Sequence, residues 1–252
     1  MTSVLDFGAP VLAACAAAMI AGGLVKGVVG IGLPLVALPV MASFVPLHKA
    51  IALLILSSFV TSVWQSFHGG RFVASARRFW PLLAGIVVGV ATSVRALATF
   101  DIRLLNLILG AIVTLFASLL SRQLVFAVAP RAERWAAPFA GAIAGLVGGL
   151  SMLFGPVYAM YLAGLKLGKE SFVAAISLAN VWATVVLAAA MTRYELVSGT
   201  DLAASLFALV PSSLGVVLGT RLRHRIDEGL FRKALAAVLF LIGLNLIRKA
   251  LM

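Results

Sequence analysis

Apolar runs separated by short basic or glycine-rich breaks fill almost the whole chain. In the first half they predict helices at about 9–28, 34–45, 49–67, 79–97 and 102–121. In the second half the corresponding runs are 135–152, 156–165, 169–192, 202–220 and 228–248. A helix needs about 20 residues to cross a bilayer, with a range of roughly 17–25. The runs 34–45 and 156–165 are too short for that. Each opens on a proline, which suits the first turn of a helix because the missing N–H has no partner there. Each also follows a break that contains glycine. The pattern therefore predicts that the first two pieces of each half form a re-entrant, broken-helix hairpin with its turn inside the membrane.

The halves repeat one another. Gly23-Leu-Val-Lys-Gly27 followed by Pro34 recurs as Gly145-Leu-Val-Gly-Gly149 followed by Pro156, an offset of 122 residues. Arg95 and Asp101 recur as Arg221 and Asp227, an offset of 126. The expected architecture is an all-α integral membrane protein of two inverted repeats, each a hairpin plus three transmembrane helices. Repeat 1 covers about 9–121, a linker 122–134, and repeat 2 about 135–250, within one transmembrane domain of residues 1–252. Two broken-helix units of this kind are a transporter plan.

Composition agrees. Mean hydropathy is +1.14 and only 11% of residues are charged, against about 25% in soluble domains. The net charge of +12 does not point to nucleic acid, because the cations are spread through short loops, as in membrane proteins. With the hairpin topology, one face collects thirteen Lys/Arg, in 68–78, 122–134, 166–169 and 221–233. The other face collects six: Lys49, Arg95, Arg103, Arg193, Arg248 and Lys249. If each hairpin were instead a single crossing, the split would be nine against ten. The positive-inside rule thus favours the hairpins and puts both termini outside. Trp80 and Trp135 stand next to basic loops, where interfacial anchors belong. Cys15 is the only cysteine, so there is no internal disulfide. Leu12-Ala-Ala-Cys15 has the form of a lipoprotein cleavage box, but residues 1–11 carry no Lys or Arg, and Cys15 reads as a packed small residue.

The chemistry inside the membrane is sparse. All eight acidic residues fall in termini, loops or helix ends, which argues against a cation pump built on buried carboxylates. Asp101 and Asp227 read as helix N-caps, and Pro211 as a kink. His48 and His68 read as interfacial. Lys26, at the first break, is the exceptional cation, and an anionic substrate is its natural partner. Half-helix N-termini offer free N–H groups and a dipole to an anion. Gly27, Gly30 and Gly32 with Pro34, and Ser151 and Gly155 with Pro156, shape those ends. Ser58 and Asn180 are equivalent under the 122 offset and would donate hydrogen bonds, in stripes that include Ser57, Thr61, Ser62, Gln65, Ser177 and Thr184. Trp182 would wall a cavity. No phosphate loop, metal-spaced cluster or nucleophile–base set is visible, so neither a cofactor nor an enzyme activity is expected.

These residues carry a family resemblance. Gly23-Leu-Val-Lys-Gly-Val-Val-Gly-Ile-Gly-Leu-Pro34, with Pro39 after it, and Ala144-Gly-Leu-Val-Gly-Gly-Leu-Ser-Met-Leu-Phe-Gly-Pro156 resemble the glycine-rich signature of the TauE/SafE sulfite and organosulfonate exporters. The glycine run is shorter here, with Leu33 and Pro34 directly after Gly32. The resemblance implies a secondary transporter that exports a small sulfur-containing anion across the bacterial inner membrane. The anion would sit near the midplane between the two hairpins. The expected partners are that anion and the lipid bilayer, with a small-residue face as a candidate homodimer contact. An anion or small-solute pore and a non-transporting scaffold subunit remain the alternatives.

Overall fold

The computed structural model describes residues 8–29, 32–67, 72–122, 128–129, 131–222 and 228–251. Gly30, His68 and Asp227, and the side chain of Gln65, lie outside the described residues. Ten α-helices and no strand occur among the described residues. They are α1 (Ala9–Val29), α2 (Leu33–Met41), α3 (Leu47–Phe67), α4 (Phe72–Thr99) and α5 (Ile102–Arg122), then α6 (Glu133–Ser151), α7 (Phe154–Gly164), α8 (Lys169–Arg193), α9 (Gly199–Leu222) and α10 (Glu228–Leu251). Seven are long and apolar enough to cross a membrane.

The helices fall into two compact units. The first holds Met1–Ser57, Thr99–Leu124 and Leu196–Met252; the second holds Ser58–Ala98 and Val125–Glu195. Each unit draws on both halves of the sequence. In the first unit, α1 packs on α9 through two glycine pairs at four-residue spacing. A Cβ on Gly23 would lie 2.4 Å from Ser212 O, and one on Gly27 2.4 Å from Val216 O. In return, Gly215 and Gly219 sit 2.2 Å, by the same measure, from Ile20 O and Leu24 O. Small residues at this spacing let two backbones meet, which drives helix association where lipid removes the hydrophobic effect. The second unit repeats the device: Gly85 and Gly89 of α4 face Gly141 and Gly145 of α6. In sequence terms, the first helix of each half packs on the fourth helix of the other. The contact residues rise together on both helices, so each of these pairs runs parallel. Gly110 and Gly243 bring α5 and α10 together in the first unit.

Both short helices fold back on the helix before them. At Gly22 of α1, a Cβ would meet Leu33 O at 2.5 Å and the Ala37 side chain at 3.1 Å. Gly32, the N-cap of α2, has φ 128, which a residue with a Cβ adopts only under strain. In the second unit, α6 ends on Met152 in the left-handed region, whose N–H donates to Gly148 O at 2.6 Å, an αL-type C-cap. The Tyr161 hydroxyl of α7 donates to Glu133 O at the start of α6, and the Val128 N–H to Gly164 O at the end of α7.

Three of the boundary differences from the sequence expectation bear on the hairpins and on α4. Helix α2 stops at Met41 rather than 45, and turns follow. Helix α7 starts at Phe154, so Pro156 lies inside its first turn. Helix α4 starts at Phe72, not 79: Phe79 is non-helical (φ −99, ψ 15), two residues before Pro81, and marks a kink. Helix α9 runs on through Pro211 as one element. Asp101 caps α5 as expected, with its Oδ1 accepting from the Leu104 N–H at 2.7 Å. Cys15 is buried in α1.

Candidate functional site

The first group of expected site residues lies in the first unit. Lys26 occupies the last turn of α1 and is only 3% exposed. Gly27 lies against Val216 and Gly219, so it serves the α1–α9 contact. Gly32 and Pro34 form the start of α2, where the N–H groups of Leu33 and Leu35 belong to an open first turn. The glycine register puts Lys26 level with Leu218, one turn from the end of α9 and about 11 Å from its middle.

The second group lies in the second unit. Ser151, fully buried, donates to Val147 O at 2.6 Å and accepts from the Leu153 N–H at 3.4 Å. Gly155 and Pro156 stand in the first turn of α7. The Tyr158 hydroxyl, fully buried, donates to the Asn180 side-chain oxygen and joins α7 to α8. The Trp182 indole N–H donates to Leu83 O at 3.0 Å, and its ring stays partly exposed. Ser58, Thr61 and Ser62 are buried on α3, as are Ser177 and Thr184 on α8. Gly149 lies against Ser93, which puts Ser151 level with Arg95, close to the end of α4.

The long arm of each hairpin therefore runs the length of the helix beside it. Each turn lies near the end of that helix, not at its middle, because glycines at four-residue spacing lock the register.

Sequence reasoning missed one charged pair. Lys49, in the first turn of α3, and Asp201, in the first turn of α9, are both buried, and Lys49 Nζ meets Asp201 Oδ2 at 2.7 Å. The Ser198 N–H and hydroxyl also donate to Oδ2, at 3.0 and 2.7 Å. Asp201 Oδ1 has no hydrogen-bond partner. From sequence both groups read as loop charges. In the hairpin topology their two loops share a face, and opposite charges there were the available signal.

A protein with this helix content and these spans is a multi-pass, all-α membrane protein. The chain matches the family described as Sulfite exporter TauE/SafE over residues 14–246, nearly its whole length, and it belongs to that family. The family is one of membrane transporters of the sulfite-exporter type. Neither the curated proteins nor the solved structures gave a match.

Proposed function

We propose that this chain exports a small sulfur-containing anion, sulfite or an organosulfonate, across the bacterial inner membrane by alternating access of two inverted repeats. The observation that carries the reading is the repeated hairpin. In each half a long helix turns back, through Gly32 in the first and Met152 in the second, into a short one whose first-turn N–H groups suit an anion, and the last turn of α1 adds the buried cation Lys26.

The register of the hairpins supports a station at each turn. At the first, Lys26 supplies charge and the α2 amides supply hydrogen bonds, with Gly32 and Pro34 shaping the approach. At the second, Ser151 turns from Val147 O to the anion beside Gly155 and Pro156. Ser58 and Asn180 act as neutral donors, and Trp182, held at Leu83 O nearer the start of α4, walls the approach. Tyr158 occupies the Asn180 oxygen, which leaves the amide N–H groups for the anion.

Short contacts support the hairpin topology, in which the positive-inside rule puts the basic loops inside and both termini outside. Were each hairpin a single crossing, the starts of α3 and α9 would face opposite sides, about 30 Å apart; Lys49 and Asp201 stand at 2.7 Å. Lys249, near the end of α10, likewise donates to Ser43 O just after α2.

The test is flux into proteoliposomes with sulfite, thiosulfate, sulfoacetate, taurine and sulfate in competition. Saturable sulfite or sulfonate flux is expected. Loss of one charge-assisted contact is worth about 1.5–3 kcal/mol, so Lys26→Ala raises the half-saturation concentration at least tenfold. Flux of no sulfur anion by folded protein removes the substrate. Unchanged flux in Lys26→Ala removes that station.

A further inference from the structure

The second unit carries a groove that the transport reading does not use. It measures about 670 Å³ and opens between the starts of α4 and α6, lined by Arg78, Trp80, Pro81, Arg134, Trp135 and Pro138. That volume is in the range of small-molecule sites. Trp80 is 64% and Trp135 75% exposed, high values for the two largest side chains at the site. Indole rings gather at the level of lipid headgroups, where one edge meets hydrocarbon and the N–H meets water.

The charge beneath them is organised. Arg78 Nε and Nη2 donate to the two oxygens of Glu133 at 2.8 and 2.9 Å, and its guanidinium lies 5.2 Å from the centre of the Phe79 ring. Arg78 is thereby fixed in place and Glu133 neutralised. Arg134 has no carboxylate within 4.0 Å among the described residues, and Arg77 and Arg131 are exposed nearby. The groove thus keeps an uncompensated positive charge between two aromatic walls. The two prolines add acceptors: each withholds the N–H that the carbonyl four residues earlier, of Arg77 or Arg134, would receive in a regular helix.

We propose that this groove is a binding site for the headgroup of an anionic phospholipid such as phosphatidylglycerol, held by Arg134 between Trp80 and Trp135. Charge complementarity selects this occupant. A zwitterionic headgroup would bring its own cation against Arg134, and a soluble anion would leave both indole faces uncovered. One basic residue near an anionic lipid surface is worth about 1 kcal/mol, a factor of about five in binding.

The experiment reconstitutes the full chain in vesicles and titrates brominated phosphatidylglycerol or brominated phosphatidylcholine, reading tryptophan quenching. Phosphatidylglycerol should quench at a mole fraction about fivefold below that of phosphatidylcholine. Trp135→Phe should remove part of the amplitude, and Arg134→Gln should bring the two curves together. The wild-type comparison needs no variant to fold. Coincident curves in wild type, or an unchanged preference in folded Arg134→Gln, would overturn the site. Displacement of the brominated lipid by millimolar inorganic phosphate would overturn it in favour of a free-anion site.

Discussion

Consider the removal of one partner from the Lys49–Asp201 pair. Lys49 and Asp201 expose 8% and 0% of their side chains and meet at 2.7 Å. At an effective dielectric constant near 20, the Coulomb attraction is on the order of 6 kcal/mol. Desolvation of both ions offsets most of it, so the pair contributes little net. Its removal by halves is costly. Lys49→Met leaves Asp201 buried with the two Ser198 bonds alone. Asp201→Leu leaves a buried ammonium without a counter-charge. Each single change should destabilise by about 3–5 kcal/mol, whereas Lys49→Met with Asp201→Leu, which removes both charges, should approach wild type. The assay is reversible unfolding of the purified protein in mixed micelles, read as a double-mutant cycle. With the double near wild type, the coupling equals the sum of the two single effects, about 6 kcal/mol or more, and such cycles isolate the pairwise contribution. Additive single effects, or singles below about 1 kcal/mol, would refute both the buried pair and the common face it gives the starts of α3 and α9.

Gly219→Ala should destabilise by about 1–3 kcal/mol, because the new methyl would lie 2.2 Å from Leu24 O, a backbone atom that cannot step aside. Gly199→Ala, with nothing within 4 Å, should stay within about 0.5 kcal/mol in the same unfolding assay. Tyr158→Phe leaves the Asn180 oxygen without its donor and should cost about 1–3 kcal/mol. In right-side-out membranes, cysteines placed at Ser43 and Ala129 should differ in labelling. The first should react with an impermeant maleimide and the second only after permeabilisation; the reverse order would invert the topology.

Much of this was legible in the chain because the signals were local. Asp101 reads as a cap because it directly precedes an apolar run, and it is one. The short second helices follow from a proline and a run too brief to span. What was lost lies in tertiary space. Arg77 and Arg78 interrupt the hydropathy of α4 and so hide the turns of helix before the Phe79 kink. Glycines four apart occur in α1, α4, α6 and α9 alike, so spacing alone could not say that α1 takes α9 and α6 takes α4. Nor could it give the register, which moves each turn from the middle of a helix to its end. Lys49 and Asp201 lie 152 positions apart, and no local pattern joins them.

The crossed pairing of α1 with α9 also sets a timetable for biogenesis. The glycine face at Gly23 and Gly27 has its partner encoded roughly 190 residues downstream. At a synthesis rate of about 5–20 residues per second, α1 waits on the order of 10–40 s for it. During that wait the first helix has reached the bilayer with a flat, small-residue stripe open to lipid or to other chains. Neither sequence half supplies its own partner for this stripe, so the first half made alone should be a target for membrane quality control. Co-expression of the two halves, cut in the linker 122–134, should restore both to stable levels.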